Sequence, residues 1–446
     1  SGYHGCAGTL RCAFCWSRAK EGFDLLKLPK EKIIVLDLNQ TKKQKFEFQN
    51  LDELKNYSYK NCDNGMAVTS TLISSAREPF PSIQKNKAYI EDSLNVTNAL
   101  TDFFDDYLTK NRVDLIYLFN GRFAMYRPLV RLAQMAKIPF YIHERGGKHS
   151  HYSLTYNSYP HDLPVKKKEI EDFTKNIPEE KIQREGSAWY ERRLQRKIDN
   201  WFSFSASQIA DKLPDGFSPK KKNISIFISS EDEFESISGW QNPVFKNQSH
   251  GVAFILDHFK NRNDVHFYVR VHPNLSSLKN TQTQFFKNLK QHNLTVIQAD
   301  EAIDTYALIR ASEKIIAFGS TIGVEGCYLR KPVILAGRSF YEDLNVSYNP
   351  KTEKEVLTLI DSSLEAKPVI GALKYSYWMT NYGLPHVYYQ PNNISTGLFM
   401  GHKITGNKIY AYLSYFFYFL IEVKGVFTGK LSYKNLYNRI LSKLAS

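Results

Sequence analysis

The strongest constraint on this chain is an alternation, run through twice, of short apolar β-branched runs and segments of helical spacing. In the first half, 33–38, 113–119 and 138–142 read as strands, with helices over 94–110 and 127–137. In the second half, 224–228, 265–271, 294–297, 314–318 and 332–335 read as strands. Helices at 251–259, 283–292 and 302–311, and one opening at Gly323, lie between them. Such alternation builds parallel βαβ units. The expected fold is α/β: two Rossmann-like, doubly wound domains facing a cleft, with ligands at the carboxyl ends of the strands. Residues 165–223 are Lys-rich and read as one or two solvated helices ending at Leu213-Pro214-Asp215-Gly216. The expected division is 1–215, 216–396 and a helical tail, 397–446.

Composition narrows the function. With 446 residues, 42% hydrophobic and 23% charged, the chain is neither disordered, collagen-like nor a disulfide miniprotein. The net charge of +14 suits phosphorylated ligands or an anionic membrane surface. No zinc finger, basic zipper or RNP-like stretch supports a nucleic-acid partner. Five cysteines make no disulfide framework, and no basic stretch followed by a long apolar run opens the chain. A cytoplasmic protein is expected. His4, Cys6, Cys12 and Cys15 are a weak zinc signal, because the C-x2-C pair has no distant second pair. No bound metal is expected. In the tail, 409–421 are uncharged, flanked by Lys403, Lys408, Lys424 and Lys430. A spanning helix needs about twenty apolar residues, so this is either an interfacial segment, making the protein peripheral on the inner face of the membrane through 398–446, or a helix packed over the two domains.

Five clusters carry candidate chemistry. Gly319-Ser320-Thr321-Ile322-Gly323-Val324-Glu325 turns from a strand into a helix. Small residues, hydroxyls and a helix start suit a phosphate, and Glu325 one turn on suits a ribose or sugar diol; the same residues also make an ordinary capped helix. Arg270-Val271-His272-Pro273 ends a strand with a cation and an imidazole, fit to clamp a phosphate or donate a proton. Ser229-Ser230-Glu231-Asp232-Glu233 opens from the same sheet edge; its hydroxyls and Glu231 are donor-side candidates, or it is an acidic helix start. In the first half, Glu144 of His143-Glu144-Arg145-Gly146-Gly147 is the candidate general base. Asn120, Arg122, Arg145 and His161 are candidates beside it. The last cluster is the cysteine set.

Together these motifs resemble the capsule polysaccharide biosynthesis glycosyltransferases, a GT-B group that includes Kdo transferases. The resemblance is clearest over 224–350, in Ser229–Phe234, Arg270–Pro273, Gly319–Glu325, Lys331-Pro332-Val333-Ile334 and Tyr341. It implies a nucleotide-sugar donor, CMP-Kdo or a UDP-sugar, in the C-terminal domain and a saccharide or glycolipid acceptor near the N-terminal one. No cofactor is implied. Arg270, His272, Ser320 and Thr321 would hold donor phosphate, Glu325 sugar or ribose hydroxyls, and Glu144 the acceptor. Gly319–Pro332 is also similar to UDP-GlcNAc 2-epimerases and polyol-phosphate transferases, but the epimerase double Glu is absent: Gly326 follows Glu325. A non-catalytic sugar-phosphate-binding subunit would keep the same fold.

Overall fold

The computed structural model describes residues 9–36, 43–197, 205, 207–393, 396–405 and 409. The first part contains α1 (Thr9–Leu25), α2 (Leu51–Lys55), α3 (Asn64–Ala76), α4 (Lys87–Lys110), β1 (Ile116–Phe119), α5 (Arg127–Met135), β2 (Phe140–Arg145) and β3 (His151–Tyr156). Two helices follow, α6 (Leu163–Lys175) and α7 (Glu179–Leu194). The second part runs β4 (Lys222–Phe227), α8 (Glu231–Glu235), α9 (Gln248–His258), β5 (Val265–Arg270), α10 (Thr281–Asn288), β6 (Leu294–Ile297), α11 (Thr305–Ala311), β7 (Lys314–Ala317), α12 (Ile322–Tyr328), β8 (Val333–Leu335) and α13 (Glu353–Asp361). The chain ends in α14 (Ile370–Asn381), β9 (Leu384–Pro385), β10 (Tyr389–Pro391) and β11 (Gly397–Phe399).

The second half is doubly wound. Its five strands are parallel in the order β6-β5-β4-β7-β8, so the order reverses at β4 and β7. Strands such as β4 and β7 are buried along almost their whole length because helices cover both faces. One face packs Val252, Ile255 and Leu256 of α9 against Ile224, Ile226 and Val269. The other packs Phe227, Tyr268 and Leu335 against α7 and α14.

The first half is smaller, with strand order β1-β2-β3-β9. Only β1 and β2 are parallel; β3 and β9 add antiparallel to one edge. The apolar run at 33–36 is not a strand: Ile34 and Val35 are 56% and 67% exposed. β-branched residues favour extended backbone, but a strand needs a neighbour, and no described strand pairs with this run. The Lys-rich helices are not simply solvated either. Ile170, Ile182, Trp189 and Tyr190 are buried, and Tyr190 stacks on Tyr328 at 4.1 Å and donates to the Ala372 carbonyl at 2.7 Å. Thus α6 and α7, which precede the expected boundary at 215/216, pack into the C-terminal core. β11 pairs with β10, so the expected tail opens inside a hairpin. The uncharged run beyond Ile409 and Cys6 lie outside the described residues.

Candidate functional site

The reversal of strand order leaves a crevice at the carboxyl ends of β4 and β7, and a pocket opens there. Register places Phe227 beside Arg270 on one side and Ala317 on the other, so the segments leaving all three strands converge. The pocket is lined by Arg270 and His272 after β5, Ser320 and Thr321 after β7, and Glu325 from α12. At about 80 Å³ it is well below the several hundred Å³ that enclose a drug-sized ligand, so it grips one group of a larger molecule.

Arg270 decides its character. The side chain is 3% exposed, donates to the Gln298 and Glu301 carbonyls at 3.3 and 3.1 Å, and makes no ion pair among the described residues. Its Nε has no hydrogen-bond partner. Burial lowers its pKa to about 10. It remains a cation at neutral pH, and a buried cation without an anion is costly. An anionic ligand would relieve that cost.

His272 is a neutral donor rather than a second cation. Burial and then Arg270 pull its pKa down to about 4. Its Nδ1 accepts the Asn274 N–H at 3.2 Å, which leaves the ring proton on Nε2. Ser320 Oγ accepts from the Ile322 N–H at 3.3 Å, so its own proton is available to donate. Thr321 instead donates to Glu325 at 3.1 Å. The Glu325 carboxylate also accepts from Tyr306 at 2.7 Å and Arg193 at 3.4 Å. A carboxylate offers roughly four acceptor positions, so about one is left for a ligand hydroxyl. Gly319 is required at its position. Its φ is +77°, and a Cβ there would lie 2.5 Å from the Phe234 ring.

Arg193, Tyr306, Ser205, Gln208 and Thr305 also line the pocket, and the sequence reading missed them. They come from distant segments. The one local signal is Trp189 and Arg193, four apart on α7, with the guanidinium 4.2 Å from the indole centroid.

The Ser229–Glu233 cluster is not in the pocket. Ser229 donates to the Phe318 carbonyl at 2.7 Å and Ser230 to Asp232 at 2.5 Å. Glu231 accepts the Gln248 N–H at 2.6 Å, and burial pushes its pKa up to about 7. Arg77 of the first half reaches over to Ser230 and Asp232, both at 3.0 Å. The cluster is internally bonded and joins the two halves.

The first-half candidates separate as well. Glu144 accepts from Asn120 Nδ2 at 2.6 Å and lines a second pocket with His143, Arg145, Lys148, Tyr152 and His386. Arg122 points elsewhere, donating to Ser70 at 2.9 Å and across the cleft to Ser236 at 2.8 Å. His161 is held low, to about pKa 3, by burial and then by Arg122 and Arg127; its carbonyl accepts from Trp240 at 2.6 Å. It lines neither pocket. No metal-ligand group of His, Cys, Asp or Glu occurs among the described residues, and no helix among them is long and apolar enough to cross a membrane.

A family model of capsule polysaccharide biosynthesis proteins matches residues 167–361. No curated protein matches the chain. Among solved structures, the chain is similar to the β-Kdo 2,4-transferase of Thermosulfurimonas dismutans KpsC, at 13% identity and TM-score 0.38, over 59% of this chain and 79% of that one. The β-Kdo 2,7-transferase of the same protein gives 12% and 0.35, over 61% and 79%. UDP-GlcNAc 2-epimerase from Neisseria meningitidis gives 13% and 0.29, over 64% and 80%. The matched span, under half of the chain, takes in most of α6, all of α7 and the whole doubly wound sheet: over that span the chain is similar to the capsule polysaccharide biosynthesis proteins.

Proposed function

We propose that the protein is a glycosyltransferase that moves a sugar from a nucleotide-sugar donor to a growing surface polysaccharide or glycolipid. The observation that carries this is Arg270, a buried guanidinium without a carboxylate partner, lining a pocket with the Nε2–H tautomer of His272. In glycosyl transfer, negative charge develops on the departing phosphate as the glycosidic bond breaks. Cations and neutral donors already fixed at that place stabilise it without reorganising. Arg270 supplies the charge, while His272 and Ser320 supply hydrogen bonds. Glu325, held by Tyr306 and Thr321, takes a hydroxyl of the sugar or ribose.

On the acceptor side, Glu144 is the group to remove a hydroxyl proton. Asn120 fixes one of its oxygens. Glu144→Gln keeps the shape and removes basicity, so an inverting reaction should stop while donor binding persists.

The test is a nucleotide-sugar panel, CMP-linked and UDP-linked, screened by thermal shift and then assayed for transfer with and without EDTA. A stabilising donor that is transferred equally in EDTA supports the reading. A panel in which no nucleotide sugar binds would overturn it.

A further inference from the structure

The sheet of the first half has one face that no helix among the described residues seals. Tyr117, Tyr141 and Tyr156 lie in register across β1, β2 and β3, with ring centroids 5.4 and 5.1 Å apart. Tyr117 and Tyr156 are 61% and 55% exposed. None of the three phenols hydrogen-bonds to any described residue. Two residues along each strand, Phe119 and His143 form the next row at 6.1 Å. His143 then stacks on Tyr152, and Tyr152 on His386, at 5.6 and 5.2 Å. These last rings line the Glu144 pocket. From Tyr141 to Arg145 the strand covers about 14 Å at roughly 3.4 Å per residue, longer than a single sugar.

We propose that this face and the Glu144 pocket form one continuous binding track for an extended acidic saccharide, the acceptor of the transfer reaction. The inference rests on the glycosyl-transfer reading and adds to it the acceptor's class. An exposed aromatic surface leading into a pocket marks a binding groove. The phenols decide between occupants. A sugar alternates C–H and O–H groups, and a row of rings with unbonded hydroxyls matches both, whereas a lipid chain would leave those hydroxyls unsatisfied. Charge sets the acidic preference. The pocket end presents Arg145 and Lys148, and the Lys148 ammonium donates to the Asn381 side chain at 3.4 Å and makes no ion pair among the described residues. The single carboxylate there, Glu144, is held by Asn120.

The experiment uses the full chain. Hexagalacturonate, maltohexaose and phosphatidylglycerol vesicles serve as probes, read by calorimetry and by mass-spectrometric labelling of tyrosines. Hexagalacturonate should bind, should protect Tyr117 and Tyr156 from labelling, and should bind about fivefold tighter than maltohexaose. Tyr117→Ala with Tyr156→Ala should weaken it about tenfold, and the paired Phe variants, which keep the rings should the Ala pair misfold, about threefold. Four results would overturn the proposal: no binding of hexagalacturonate, unchanged binding in both paired variants, protection by vesicles but not by the saccharide, or tyrosines already protected in the chain alone by its own tail or a second copy. Nucleotide-sugar binding is measured on the same samples. Its retention with no saccharide binding sinks the track alone, while its loss strikes the transfer reading.

Discussion

The segments leaving β4 and β7 are neighbours in one sheet, both carry Ser and Glu, and both were candidates to hold a donor. They do different work. After β4, every polar group closes on another: Ser229 on Phe318, Ser230 on Asp232, Glu231 on Gln248, Asp232 on Arg77. After β7, Ser320 keeps its proton and Glu325 keeps about one acceptor position. Arg270, beside both, makes no ion pair among the described residues; Glu301 and Asp300 act on it only from a distance. Residue type therefore nominates a site, but the count of unfilled hydrogen-bond positions assigns it.

The largest test of this contrast is Arg270→Ala. Removing this cation should weaken nucleotide-sugar binding about a hundredfold by calorimetry, with only a modest loss of melting temperature from the Gln298 and Glu301 carbonyls left unbonded, since no internal ion pair is broken. A fall in stability with unchanged affinity would reverse the assignment.

Arg77→Ala probes the opposite case. It leaves Asp232, 1% exposed, without its guanidinium, and should destabilise the fold by about 2–3 kcal/mol in urea while donor affinity stays put.

Glu231→Gln sharpens the comparison through pH. Burial raises the Glu231 pKa from 4.5 to about 7. The folded state therefore holds a proton that the unfolded state has lost, and stability falls as pH rises from about 4.5 through 7. Gln keeps the acceptor for Gln248 and cannot ionise. The variant should match the parent at pH 4 and exceed it by about 1–3 kcal/mol at pH 8 in paired urea melts.

The smallest effect belongs to the turn after β7. Ser320→Ala with Thr321→Ala removes one outward donor and one hydroxyl already bonded to Glu325. Donor affinity should drop only about three- to tenfold. A loss equal to that of Arg270→Ala would make the hydroxyls, not the cation, the principal anchor.

The same contrast explains what could be read in advance. The five strands of the second half were legible because helices bury both their faces, which forces near-continuous apolar runs such as 224–228 and 314–318. The first half was harder. β3, His151-Tyr152-Ser153-Leu154-Thr155-Tyr156, turns its small polar Ser153 and Thr155 inward and its Tyr and Leu residues to the more open face, and α3 is built largely from Ser, Thr and Ala. The run at 33–36 has the composition of a strand without a partner. Arg270, His272, Ser320, Thr321 and Glu325 were found because a motif at a strand end is local in sequence. Arg193 and Tyr306 were not, because they meet Glu325 only after chain segments 132 and 19 residues away fold together.

The path of the chain after α13 has a mechanical consequence. α14 packs on α6 and α7 within the C-terminal core, and then β9 returns to the first sheet beside β3. Among the described residues the halves are thus joined by two crossings, 157–162 and 382–383. Gly383 at φ +97° makes the second, with Tyr382 accepting the Gly147 N–H at 2.9 Å. A joint of two strands of chain bends more easily about the line through both than it twists, so opening of these jaws, latched at the far side by Arg77 and Arg122, would follow that one axis.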